Sequence, residues 1–225
     1  MKKITLAMML LFAMFIFTAC GSPAPAAEET ETDPTSNASK VTEEFEGGGG
    51  QADTETPAEP VADYTVAIEI ADFGTITVAL DGTAAPVTVQ NFVDLVNEGF
   101  YDGLTFHRVM TGFMIQGGDP AGNGTGGSEV TIRGEFAANG VENNLKHTRG
   151  AISMARSSAP DSASSQFFIV HEDSDFLDGN YAVFGYVTEG IEVVDAICTA
   201  MTALGYDEAV AAADQPVITS IRIVE

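Results

Sequence analysis

Basic residues are scarce in this 225-residue chain: nine Lys and Arg stand against 33 Asp and Glu, for a formal net charge of −24. So acidic a surface repels phosphate backbones and anionic lipid headgroups, which excludes nucleic acid as a partner and electrostatic adhesion to a membrane. Histidine and cysteine are rare too. His107, His147 and His171 share no metal-ligand spacing with one another or with Cys198, so no metal site is expected. The Gly-rich "NGTGGS" lacks the lysine of a phosphate loop, and no serine of "SMARSSAPDSASSQ" stands in a G-x-S-x-G elbow. Phosphate-loop and serine-hydrolase chemistry are thus unsupported, and no cofactor is implied.

What is present begins with "MKK" and an uncharged apolar stretch from Ile4 to Ala19. A basic start, a short apolar run and a small-residue exit describe a signal peptide over residues 1–19. The run falls short of the ~20 residues that a membrane span needs. "FTAC", ending at Cys20, resembles the bacterial lipobox, which implies a lipid on Cys20 and an extracytoplasmic, membrane-anchored protein. Lipidation would consume Cys20 and leave Cys198 without an intramolecular partner. Cys198 lies in the apolar-periodic "IEVVDAICTA", which predicts a buried structural thiol. Residues 20–63 are rich in Pro, Ala, Thr, Glu and Gly, including "EGGGG", with almost no large apolar side chain. Such a segment cannot offset its ordering entropy and reads as a flexible acidic tether.

Residues 64–225 are long enough for one domain with a single core. "YTVAIEI" and "TITVAL" alternate apolar and polar around the turn "ADFG", predicting an opening hairpin. "PVTVQNFVDLVNEGF" places Val89, Phe92, Val93 and Val96 on one helical face, with Pro86 suited to the first turn and Gly99 to the stop. Short strands then alternate with Gly-rich turns, "IEVVDAICTAM" predicts a second helix, and "VITSIRIV" a closing strand. Many strands and two helices suggest a closed, capped barrel whose first and last strands meet.

The stretch "TFHRVMTGFMIQGGDP" is apolar at most positions yet carries Arg108 and Gln116. A charge is rarely buried unpaired, so Arg108 is expected to look over an apolar surface, a shallow site with one fixed cation. A second stretch, "SQFFIV", adds Gln166 and Phe168. With "NGTGG", "LKHTRGAISMAR" and "FLDGNYAVFGYV", these blocks resemble, in order, the successive signatures of the cyclophilins, over essentially all of residues 64–225.

The resemblance implies a mainly β fold, a closed eight-stranded antiparallel barrel capped by two α-helices, with peptidyl-prolyl cis–trans isomerase activity. It implies that Arg108 is the catalytic arginine, joined by Gln116, and that Phe113, Met114, Phe168 and Leu177 form the proline pocket with Gln166 at its edge. Gly124, Ala155 and Arg156 match positions lining the groove for residues before proline, and Phe176 and Tyr181 match ligand-contacting positions. Three of these depart from common family residues: Arg156 replaces Asn, Phe176 replaces Trp and Tyr181 replaces His. Expected partners are proline-containing peptides and unfolded exported proteins, with the protein a monomer held to the membrane by its lipid. A proline-peptide binding module or a surface scaffold with incidental catalysis is the alternative.

Overall fold

The computed structural model describes residues 63–224. The expected signal peptide, Cys20 and nearly all of the tether lie outside the described residues.

The chain opens with strands β1 (Tyr64–Ile70) and β2 (Gly74–Leu80), paired antiparallel. Val66, Ile68 and Ile70 alternate inward along β1, as Ile76, Val78 and Leu80 do along β2. Asp72 takes the positive φ, 66°, that the connecting turn requires. Helix α1 (Pro86–Asn97) follows, then β3 (Phe106–Met110), β4 (Met114–Gly117), β5 (Ala151–Met154), β6 (Phe167–Val170), β7 (Val183–Glu189), helix α2 (Ile191–Ala203) and β8 (Ile218–Ile223). All pairings are antiparallel, in the order β3-β4-β6-β5-β7-β2-β1-β8, and the first and last strands do meet.

The closed barrel expected from the sequence is corrected here: no continuous ladder joins the two ends of this order, and the sheet is an open half-barrel. β3 and β8 approach through an isolated bridge, Thr105 to Val217, with Phe106 N–H donating to Pro216 O at 2.9 Å. Pro216 has no N–H to return, so the ladder cannot be extended through it.

Phe92 on α1 joins the helix to the sheet. It is fully buried, with Tyr101, Phe184 and Phe167 rings at 5.1, 5.3 and 5.5 Å. The expected apolar face of α1 is the buried one, and Gly99 beyond the helix has φ 69°. On α2, Cys198 is 1 % exposed, and burial pushes its thiol up to about 11, an inert structural group.

The N-terminus of α1 has no side-chain cap of its own at Ala85. Glu135, only 3 % exposed and 47 residues away from Thr88, supplies one. Its carboxylate accepts from Val87 N–H at 3.0 Å, Thr88 N–H at 2.8 Å and the Thr88 hydroxyl at 2.7 Å. A buried carboxylate here satisfies orphan amides and meets the positive end of the helix dipole. Glu135→Ala is expected to destabilise the domain by about 2–3 kcal/mol, because these donors lose their acceptor while buried. Glu135→Gln is expected to cost less. Chemical denaturation of the three proteins checks both.

Candidate active site

Strands β3, β4, β6 and β5 carry two rows of side chains on opposite faces. Val109, Ile115, Ile169 and Ile152 stand opposite one another across the strands and belong to the main core. One residue along, Arg108, Gln116, Phe168 and Ser153 form the second row. Strand alternation alone puts these polar and aromatic groups on the face away from the core. A smaller apolar cluster covers that face, with Met114, Phe168 and Val170 buried and Phe113, Leu177 and Tyr181 packed against them.

The register of β3 slips by one residue between Phe106 and Arg108, so His107 is the extra residue of a bulge. Both His107 and Arg108 consequently line a cavity of about 700 Å³. Phe113, Met114, Phe168, Leu177 and Tyr181 line it as well, with Gln116, Gly124, Ala155 and Arg156. The last four also border an adjoining cavity of about 320 Å³, whose wall is otherwise rich in Ser, Thr and Gly and includes Gln166. Phe176 is 71 % exposed and lines neither cavity; its ring packs on Phe113 at 5.4 Å.

A hydrogen-bond chain fixes the polar edge. Gln166 Nε2 donates to Gly126 O at 2.7 Å, and Gln116 Nε2 donates to Gln166 Oε1 at 2.9 Å. Gln116 Oε1 is thereby turned toward Arg108, whose Nη1 lies 3.4 Å from it. The opposite edge of the guanidinium, Nε and Nη2, donates to Glu208 Oε1 at 3.2 and 3.0 Å.

Arg156 is a second cation in the wall. Its guanidinium lies 4.6 Å from the Tyr181 ring centre and 4.9 Å from that of Phe136, and it donates to the carbonyls of Asn180 and Ser157. Asparagine could not span these contacts, so the departure at this position changes the groove. The site thus holds two cations, Arg108 and Arg156.

Among the described residues, neither ring nitrogen of His107 has a hydrogen-bond partner. Burial lowers its pKa, with Asp119 opposing and Arg108 reinforcing, which keeps the ring neutral. Asp119 is itself buried, yet backbone N–H groups of Ala121, Asn123 and Gly124 hold its carboxyl below the usual range despite that burial. These bonds shape the loop that brings Gly124 to the groove.

Behind the floor, His147 stacks on Phe168 with ring centres 6.0 Å apart. Its nitrogens meet Asp178 Oδ1 at 2.9 Å and Ser153 Oγ at 3.1 Å. Burial lowers the His147 pKa although Asp178 pulls the other way.

Reasoning from sequence missed this buttress and a whole wall of the cavity. The segment between α2 and β8 contributes Glu208, Ala209, Val210, Ala212 and Gln215. Gln215 Nε2 donates to Gly122 O and to Val210 O, both at 2.9 Å, and its Oε1 accepts from the Thr105 hydroxyl, tying three loops together. "GYDEAVAAADQP" carries no signal of this: Glu208 meets Arg108 across 100 residues of chain. No group of three or more His, Cys, Asp or Glu among the described residues could hold a metal ion.

Comparison with known proteins agrees with the geometry. The sequence profile described as "Cyclophilin type peptidyl-prolyl cis-trans isomerase/CLD" matches residues 65–224. The chain is 44 % identical over 152 residues to peptidyl-prolyl cis-trans isomerase A of Dickeya dadantii, covering 65 % of this chain and 78 % of that protein. It is 55 % identical over 109 residues to peptidyl-prolyl cis-trans isomerase B of Bacillus subtilis, covering 48 % and 73 %. A crystal structure of a cyclophilin-type isomerase of Cryptosporidium parvum, determined in the presence of the dipeptide Ala-Pro, superposes with a TM-score of 0.62 at 29 % identity. That match covers 72 % of this chain and 99 % of the other. A profile match over the entire described domain, relatives of this identity and an arginine set beside an apolar cavity have one common reading: the chain belongs to the cyclophilin-type peptidyl-prolyl cis–trans isomerases.

Proposed function

We propose that this isomerase acts outside the cytoplasmic membrane, tethered by a lipid on Cys20, and assists the folding of exported polypeptides by turning their X-Pro bonds. The observation that carries the catalytic part is Arg108, held between Gln116 and Glu208 at the edge of a cavity floored by Met114 and Phe168. A Cryptosporidium relative crystallised in the presence of Ala-Pro supports a proline ring as the occupant of that floor. The "MKK" start, the short apolar run and "FTAC" support the location.

Amide rotation is opposed by a barrier of roughly 18–20 kcal/mol, because twisting removes C–N double-bond character. No bond breaks, so neither a nucleophile nor an acid–base pair is required. In the twisted state the lone pair returns to the prolyl nitrogen. A donor aimed there stabilises that state and finds little to bind in the planar ground state. A guanidinium serves over the ordinary pH range, and the apolar floor excludes water that would weaken its field. Bringing a barrier of ~20 kcal/mol to ~13 gives about 10³ turnovers per second. One charge-assisted hydrogen bond contributes ~1.5–3 kcal/mol, so holding the peptide in place and desolvation must supply the rest.

Arg108→Ala should therefore lower kcat/KM for a short X-Pro peptide by about 10- to 150-fold and leave the fold intact. Arg108→Lys should be nearly as slow, since an ammonium does not reproduce the planar fork. Exchange spectroscopy with circular dichroism checks this; an unimpaired Arg108→Ala would sink the mechanism.

Turnover should vary little between about pH 5.5 and 8, because no histidine need change charge in the rotation. Stability should behave differently. Burial lowers both His107 and His147, so the unfolded chain takes up protons before the folded one does. Stability contributed by the neutral rings is present above about pH 6.5 and lost as the pH falls through the lowered folded values. Thermal unfolding at pH 7 and 5, beside a kcat/KM profile, separates the two effects.

Cys20→Ser should leave the protein unlipidated and change its extraction from the membrane fraction. Deletion of residues 21–62 should leave peptide turnover in solution unchanged. Metabolic lipid labelling, fractionation and turnover test these; a large loss of turnover would show that the acidic segment acts on the domain.

A further inference from the structure

Glu208 lies between α2 and β8, on a segment that lengthens the sheet beyond the free edge of β3. Val109 N–H donates to Glu208 O at 2.8 Å, and Val210 N–H donates to His107 O at 2.9 Å, with Ala209 bridged to Arg108. These bonds fix the backbone on both sides of the ion pair. The side chains are 33 % exposed for Arg108 and 61 % for Glu208. An exposed pair ordinarily gains little, because two mobile chains must be ordered and water screens the charges. Here strand pairing sets the two backbones side by side, so the carboxylate and the guanidinium start within reach of each other and only their own torsions remain to be ordered.

The contact also has a direction. Glu208 Oε1 takes both Nε and Nη2, while Met110 Sδ lies 3.1 Å from Nη2. Nη1 keeps only the long 3.4 Å contact with Gln116. It is the least engaged nitrogen of a guanidinium that borders the cavity.

We infer that Glu208 is a positioning residue for the isomerisation: by holding the Nε–Nη2 edge of Arg108, it leaves Nη1 as the donor for the prolyl nitrogen. This rests on Arg108 being that donor. Without the carboxylate the guanidinium can swing about its side-chain torsions, and fewer bound peptides meet it in a productive orientation. The loss falls on kcat, since the planar substrate does not use the bond, and KM is left almost unchanged.

The test compares the parent protein with Glu208→Ala, Glu208→Met and Glu208→Gln. Met keeps the stem of the side chain without the acceptor; Gln keeps an acceptor without the charge. Exchange spectroscopy with a short X-Pro peptide gives kcat and KM, and nitrogen-15 NMR follows the Arg108 Nε–H. Glu208→Ala and Glu208→Met are expected to lower kcat about fivefold with KM changed less than about twofold, while Gln falls between them and the parent. The Nε–H should exchange faster with water in the Ala and Met proteins than in the Gln protein. Should Glu208→Ala fail to fold, Glu208→Met makes the same comparison. A kcat equal to or above the parent's in the variants without an acceptor overturns the inference, as does a loss confined to KM. An Arg108→Ala protein as fast as the parent would instead remove the donor reading. A slow Arg108→Ala beside undiminished Glu208 variants would remove the role of Glu208 alone.

Discussion

A β-strand shows its side chains alternately to two faces, and the strands that carry the pocket use both faces for unlike purposes. Val109, Ile115, Ile169 and Ile152 close the core on one side, while Arg108, Gln116 and Phe168 build the site on the other. Neither row can shift by one residue without exchanging core for site. The core therefore holds the register of the site, and the bulge at His107 is a local exception on β3. It lets two consecutive residues of β3 reach the cavity.

Around this rigid face the walls come from loops, which need ties of their own. Asp119 gathers the amides of the 119–124 loop, Gln215 fastens that loop to the segment before β8, and the Gln116–Gln166 pair reaches across to Gly126. In each case a buried or half-buried polar side chain satisfies backbone groups that the sheet does not. The same principle recurs far from the site, where Glu135 caps α1. The neutral imidazole of His147 completes the floor by stacking behind Phe168. The proposed mechanism asks only for a donor, an apolar floor and exclusion of water, so this machinery of placement is most of what the protein must supply.

Charge is distributed with the same economy. A chain of net charge −24 keeps Arg108 and Arg156 at the pocket. Arg156 is held by carbonyls and aromatic rings, and Arg108 by a carboxylate and an amide. The two cations therefore differ in what they can offer a peptide. Arg156 has its donors turned largely onto its own chain, whereas Arg108 retains a nitrogen for use.

The sequence by itself determined what depends on short-range periodicity and on side-chain type. The opening hairpin, both helices with their buried faces and the closing strand follow from alternation and from Pro, Gly and apolar spacing, which act over a few residues. Arg108, Phe113, Met114 and Gln116 could be read as a unit because one hairpin carries them all. The tertiary structure alone decided that β3 and β8 do not close a continuous ladder, since that depends on how two edges far apart in the chain, at Phe106 and Pro216, meet. It alone placed Phe176 on the rim against Phe113 and brought Glu208, Gln215 and the His147–Asp178 pair to the pocket. Such contacts join segments whose local composition is that of ordinary loops. Their partners are chosen by where the sheet brings the chain back, and no pattern within the loop records that return.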